Sequence, residues 1–205
     1  MNNQTWHPKD YQDAMSNTLS DEDLTRLLKQ PGCAPRFVYG ALMLPTVLKC
    51  IINESQTVNI HERMTRATVS GFRLYQFSST STPVMRRSRD PGSVVEGILV
   101  LGLDETQRNA IYELECGLMG LVSVEVQIYV RENLEELDIL NARTVDAGAF
   151  VWVGSSVELI PMKSSRWAVD GFLKEPFYES IETSQRRRAL DGEDRPPEAS
   201  DGGGD

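Results

Sequence analysis

Glu115 is the residue whose place in the sequence best suits it to proton chemistry. It closes the strongest helical pattern of the chain, residues 104–116. Asp104 can cap that helix, and Gln107 stands at the reciprocal capping-box position. Ile111 lies four positions before Glu115, and Leu114 is its neighbour. Residues i and i+4 share a helix face, so Glu115 is expected to point towards the core or a pocket at its edge. A carboxylate there loses solvation and its pKa rises, which suits a group that takes and returns a proton near neutral pH. A salt-bridged or merely peripheral glutamate is the competing reading. Glu113 falls off the stripe and is expected to be solvated.

A second candidate is the run Tyr39-Gly40-Ala41-Leu42, between a short strand candidate (Phe37-Val38-Tyr39) and a helix that Pro45 can open. A glycine lets the backbone turn sharply there. Successive amides in such a turn can point into one cavity and hold an anion. The glycine spacing and lysine of a phosphate loop are missing, and an ordinary tight turn remains open. The third feature is Pro83-Val84 together with the strand carrying Glu96 and Gly97. Glu96 is expected to face solvent or to support the site from behind.

Other chemistries have little to stand on. The charge sum is 21 basic against 30 acidic residues, a net −9, so the basic footprint that nucleic acid requires is missing. No window approaches the roughly 18 apolar residues of a membrane span. The opening MNNQTWHPKDYQD has no basic patch followed by an apolar stretch, so no signal peptide is expected. Cys33, Cys50 and Cys116 are odd in number and far apart, which fits a reducing compartment. The cytoplasm is the expected location. Only His7 and His61 are present, so a zinc site would need scattered mixed ligands, and no metal is expected. The serines of residues 78–81 and 155–156 have no local base for a nucleophilic triad.

The elements that must position these residues follow from pattern. Residues 1–35 read as a polar extension with one short helix, capped by Ser20 and carrying Leu24, Leu27 and Leu28; Gln30-Pro31-Gly32 stops it. A single domain over residues 36–185 is expected next. Residues 67–77 read as one strand with Gly71 at a bulge or a close approach, and 94–101 as another after the Pro91-Gly92 turn. Residues 122–130 alternate as a half-exposed strand. Residues 133–140 suggest a short helix, and 149–153 with 157–160 a last hairpin or bent pair. Glu175-Pro176 opens a terminal helix with Phe177 and Ile181 inward. Residues 186–205 are expected to form a mobile acidic tail, its 186–188 arginines a solvated helix end. Strands outnumber long helices without regular crossovers, which argues for an α+β domain with a mixed, curled or barrel-like sheet and short flanking helices.

Together these segments resemble the gamma-glutamylcyclotransferase-like family, including its plant and fungal avirulence-induced branch. Phe37-Val38-Tyr39-Gly40-Ala41-Leu42 is similar to that family's strand and Tyr-Gly-x-Leu loop, with Ala41 where serine or threonine is usual. Ala67 to Leu74, Pro83 followed by Val94 to Leu99, and Leu114-Glu115-Cys116-Gly117 are similar to its later landmarks, in order. The resemblance spans roughly residues 36–180. It implies conversion of a gamma-glutamyl amide into 5-oxoproline and a free amine or amino acid. Glu115 would be the acid–base, and Tyr39, Gly40, Ala41, Leu42 and Pro83 would bind the substrate. It implies no metal and no organic cofactor, and a small gamma-glutamyl compound as partner. Met119 and Leu121 stand where the family commonly has tyrosine and arginine. An apolar loop over residues 117–121 is therefore expected, as a greasy pocket wall or as a contact for a homo-oligomer. A catalytically inactive, pocket-bearing binding or regulatory protein of the same fold is the alternative.

Overall fold

The computed structural model describes residues 6–77, 82–115, 117, 119–134 and 137–191. In chain order the elements are α1 (Lys9–Ser16), α2 (Asp21–Leu28), β1 (Arg36–Val38), α3 (Pro45–Ile51), β2 (Met64–Ser70), β3 (Phe72–Phe77), β4 (Pro83–Arg87), β5 (Val94–Val100), α4 (Glu105–Glu115), β6 (Met119–Leu134), β7 (Leu137–Trp152), β8 (Leu159–Pro161) and α5 (Pro176–Asp191). Short 3-10 turns occupy Ala41–Met43, Ile60–Arg63 and Phe172–Lys174.

Five strands close a barrel in the order β1-β5-β2-β6-β7. The seam is the parallel pairing of β1 with β7, at Arg36 with Gly148 and Phe37 with Ala149; the other pairings are antiparallel. The expected α+β class with a mixed, barrel-like sheet and short flanking helices is what forms. Sequence pattern explains the curl. In β6, Val124, Val126, Ile128 and Val130 are buried while Glu125, Gln127 and Tyr129 face out, the period of two that fills a barrel from one side. In β5, residues 97–100 are buried without alternation, because β5 is central and covered on both faces. Phe37, Met64, Ile98, Leu99 and Leu101 are fully buried at the centre. Truncating one such side chain costs roughly 2–5 kcal/mol.

A second sheet, ordered β4-β3-β8, leans against the barrel. Gly71 creates it. Its φ of +78° lies in the left-handed region, so the chain turns out of the barrel there. The expected single strand over 67–77 is therefore two strands in two sheets, with Gly71 a corner and not a bulge.

Three further expectations are corrected. Residues 133–134 and 137–140 are strand where a helix was expected: β6 and β7 pair to Leu134 opposite Leu137, and ladder pairing overrides local helix propensity. Residues 135–136 lie outside the described residues. The 157–160 segment does not pair with the strand before it; β8 joins β3, with Leu159 opposite Phe77. In α5, Tyr178 and Ile181 face inward, whereas Phe177 is 52% exposed.

The N-terminal segment carries two helices, α1 having been missed by the sequence reading. Ser20 caps α2 as expected, accepting from the Asp23 amide at 3.0 Å. Leu24 and Leu27 are buried, and Arg143 of β7 binds Asp21 and Glu132. The Asn17 side-chain amide donates to the Met64 carbonyl at 2.8 Å. At the other terminus the buried Gln185 donates to the Thr46 carbonyl at 2.6 Å, fastening α5 onto α3. Arg186 and Arg188 are exposed, paired with Glu182 and Asn53. The expected acidic tail begins inside α5, and its residues 192–205 lie outside the described residues. No helix among the described residues is long and apolar enough to cross a membrane.

Candidate functional site

Helix α4 begins with the capping box read from the sequence. The Gln107 amide donates to Asp104 Oδ1 at 2.8 Å, and the Asp104 amide to Gln107 Oε1 at 3.1 Å. Ile111 is fully buried and fixes the inward face. Four residues on, Glu115 is half-buried and lines a cavity of about 430 Å³. Burial pushes its carboxyl above the usual carboxylate range, by desolvation of the charged form. Glu113, on the other face, is exposed. Gly117, at φ +100°, stops the helix in the left-handed conformation typical of C-terminal caps.

The strand following Gly117 corrects another expectation. The expected loop over 117–121 is cut short: Met119, Gly120 and Leu121 already belong to β6, opposite Trp152, Val151 and Phe150. Leu118 and Cys116 lie outside the described residues. Met119 is half-buried in the cavity wall, whereas Leu121 is 41% exposed and does not line it.

Tyr39, Gly40, Ala41, Leu42 and Pro83 line the same cavity as Glu115. Tyr39 follows β1 directly, with its phenol buried. The hydroxyl donates to the Phe150 carbonyl at 2.8 Å and accepts from the Met85 amide at 3.2 Å. It therefore bridges barrel strand β7 to edge strand β4 of the second sheet. Burial and then the nearby Glu115 charge raise the phenol's pKa, against a lowering by the Met85 amide. The hydroxyl stays protonated and acts as a strut.

The turn after β1 closes through the Met43 amide on the Gly40 carbonyl at 2.9 Å and the Leu44 amide on the Ala41 carbonyl at 3.0 Å. The amides of residues 40–42 precede the first hydrogen bond of this turn, so the turn itself engages none of them. A Cβ on Gly40 would stand 3.2 Å from Pro83 Cγ, so glycine lets the β4 proline close over the turn. Gly97 has a sharper reason. A Cβ there would meet the Val38 carbonyl oxygen at 2.3 Å, and its absence lets β1 and β5 approach where Tyr39 emerges. Glu96 does not line this cavity; it accepts from Ser165 Oγ at 2.5 Å, a supporting position.

Sequence reasoning missed much of the wall. Phe77 and Trp152 meet edge to face with ring centroids 5.0 Å apart. Phe172 touches Trp167 at 5.6 Å and Phe177 at 6.1 Å in the same manner. All five line the cavity, as does a second carboxylate, Glu175. The crowding of aromatics after residue 150 was the available signal. No Lys, Arg or His is among the described lining residues. Among the described residues no three His, Cys, Asp or Glu side chains cluster as metal ligands would.

The family model "Gamma-glutamyl cyclotransferase, AIG2-like" matches residues 36–169, and the chain belongs to that family. The match is to the family as a whole and does not single out a plant or fungal branch. Two Arabidopsis thaliana proteins of known solution structure are similar. One is 19% identical with a TM-score of 0.48, over 82% of this chain and 87% of that one. The other is 16% identical with a TM-score of 0.49, over 80% and 95%. A structure named "Gamma-glutamyl cyclotransferase" is 13% identical with a TM-score of 0.40, over 74% and 85%. These likenesses are too loose to carry an argument about chemistry. Among curated proteins, none matches the sequence significantly.

Proposed function

We propose that the protein is a gamma-glutamylcyclotransferase-type enzyme with Glu115 as its acid–base. The observation that carries this reading is one cavity lined by both the half-buried Glu115 and the residue 39–42 turn. Family membership sets the reaction class. The substrate contains its own nucleophile, an α-amine, and the cavity would fold the glutamyl chain so that this nitrogen meets the γ-carbonyl carbon. Holding the two ends together removes much of the entropic barrier.

The α-ammonium must first lose a proton, which the Glu115 carboxylate accepts. The nitrogen then attacks, a lactam C–N bond forms, and the amide C–N bond breaks. The attacking nitrogen gives up a second proton as the ring closes, and both protons pass through Glu115 to the departing nitrogen, which leaves as an ammonium and restores the carboxylate. The products are 5-oxoproline and a free amine. Amides of residues 40–42 would hold the substrate's carboxylate or the carbonyl oxygen as it gains charge. Backbone donors serve whatever side chain stands at Ala41. Tyr39 and Pro83 fix the shape of the turn and wall.

Glu115→Gln keeps the side chain's shape and removes its basicity. We expect 5-oxoproline release to fall by about 10²–10⁴-fold with the far-UV circular dichroism unchanged. Normal turnover in that variant would end the mechanism. A second reading, a binder that keeps the cavity without turnover, is favoured by Met119 standing in the wall. Binding of gamma-glutamyl compounds with no oxoproline released by the native protein would establish it.

A further inference from the structure

We infer that the half of the substrate released as the free amine is an aromatic amine without a carboxylate, and not an amino acid or peptide. This rests on the cyclotransferase reading above and names the substrate class for that site. The argument is one of charge and surface. The cavity walls offer Phe77, Trp152, Phe172 and Phe177, rings already arranged edge to face, among which another ring can insert. Phe177 is half-exposed, so part of this aromatic surface lies at the rim.

Every gamma-glutamyl compound brings one carboxylate on the glutamyl half, and the amides of residues 40–42 can take it. An amino acid or peptide leaving group brings another. Among the described lining residues no Lys, Arg or His stands to meet it, while Glu115 and Glu175 both line the space. A second carboxylate would leave water without a cation and come near like charges, which is costly in a partly enclosed apolar site. An amine carrying only a ring meets neither cost. The volume of about 430 Å³ lies within the range of small-molecule pockets, roughly 300–1,000 Å³. The covalent step is unchanged: the lactam bond forms, the amide bond breaks, and the aromatic amine leaves with the protons that Glu115 returns.

The test is a matched pair, gamma-glutamylphenethylamide and gamma-glutamylphenylalanine, which differ by one carboxylate. For the full chain, kcat/KM for 5-oxoproline release should favour the phenethylamide by about thirtyfold, on the scale of an unpaired buried polar group. Dissociation constants on Glu115→Gln, followed by the fluorescence of Trp152 and Trp167, should show a preference of the same sign but smaller, because the Glu115 charge is gone while the missing cation still costs the second carboxylate. Equal or reversed preference in binding overturns the inference. A binding preference for the phenethylamide with no turnover of either compound supports the inference and removes the cyclotransferase reading instead. Phe177→Lys places a cation at the rim and should cut the binding preference by about threefold, the scale of an exposed ion pair. An unchanged ratio in that variant, with both ligands still bound, overturns the charge argument.

Discussion

Replacing Tyr39 by phenylalanine separates a structural tyrosine from a catalytic one. The ring can stay in place, and only the hydroxyl is lost. That hydroxyl serves two buried backbone groups, the Phe150 carbonyl at 2.8 Å and the Met85 amide at 3.2 Å. Tyr39 itself is 7% exposed, so water does not readily replace it. Each buried polar group left without a partner costs about 1–3 kcal/mol, and the longer of the two bonds belongs at the low end. The expected loss is about 2–4 kcal/mol. For a chain of this size each kcal/mol lowers Tm by about 2–4 °C, so Tm should fall by about 4–16 °C. The measurement is thermal and urea unfolding by circular dichroism, with 5-oxoproline release assayed well below the lowered Tm. Turnover should survive there, because the protonated phenol spends its hydrogen bonds on the fold. A stability change below about 0.5 kcal/mol would refute the strut. Lost turnover at native stability would give the phenol a chemical role and refute the same argument from the other side.

Two more outcomes follow from single residues. Gly97→Ala sets a Cβ 2.3 Å from the Val38 carbonyl oxygen and 2.8 Å from the Phe37 ring, so β1 and β5 must separate; we expect a loss of about 1–3 kcal/mol or more, read as lower soluble yield and lower Tm. The raised Glu115 carboxyl should displace the acid limb of kcat/KM to higher pH than the ordinary glutamate value of about 4.3, and Glu115→Gln should remove the decline in stability that accompanies it. The direction is fixed by proton counts: between the unfolded value and the raised folded one, the folded chain binds more protons, so stability falls as pH rises through that window. Unfolding midpoints at a series of pH values check it, and an acid limb at the ordinary value would contradict the burial.

Sequence periodicity carried the parts of the site that depend on one element at a time. The capping box at Asp104 and Gln107, the i to i+4 relation of Ile111 to Glu115, and Pro45 at the start of α3 are local rules, and each appears in the fold as read. The placement of Tyr39, Gly40, Ala41, Leu42 and Pro83 with Glu115 around one cavity came through family resemblance, since nothing local to Pro83 points at Gly40. What escaped reading is what long-range pairing decides. Gly71 looked like a bulge because a bulge and a corner ask the same left-handed freedom of a glycine. Residues 133–140 looked helical because Leu and Glu favour helix, whereas the sixteen-residue β6 and β7 strands imposed their own ladder. Residues 117–121 looked like a loop because they fall between the helical pattern of 104–116 and the alternating pattern of 122–130. The wall formed by Phe77, Trp152, Phe172 and Phe177 draws on three distant stretches of chain, and no spacing rule joins them.

The corner at Gly71 has a consequence for how such a molecule can vary over time. The carboxylate that would handle protons rides on a helix fastened to the closed barrel, whereas Phe77, Thr82 and Pro83 belong to the stretch of chain that leaves it. Gly71 turns the chain between the two districts, the Tyr39 hydroxyl bonds across them, and Phe77 packs edge to face on Trp152 of the barrel. Outward side chains of the outlying ladder, such as Arg73, can be exchanged without loosening the closed one, whereas Leu74 and Met85 are buried in the core the two share. The space in front of Glu115 is thus drawn from both ladders, Phe77 and Pro83 from one and Met119 and Trp152 from the other, so a change on either reshapes it.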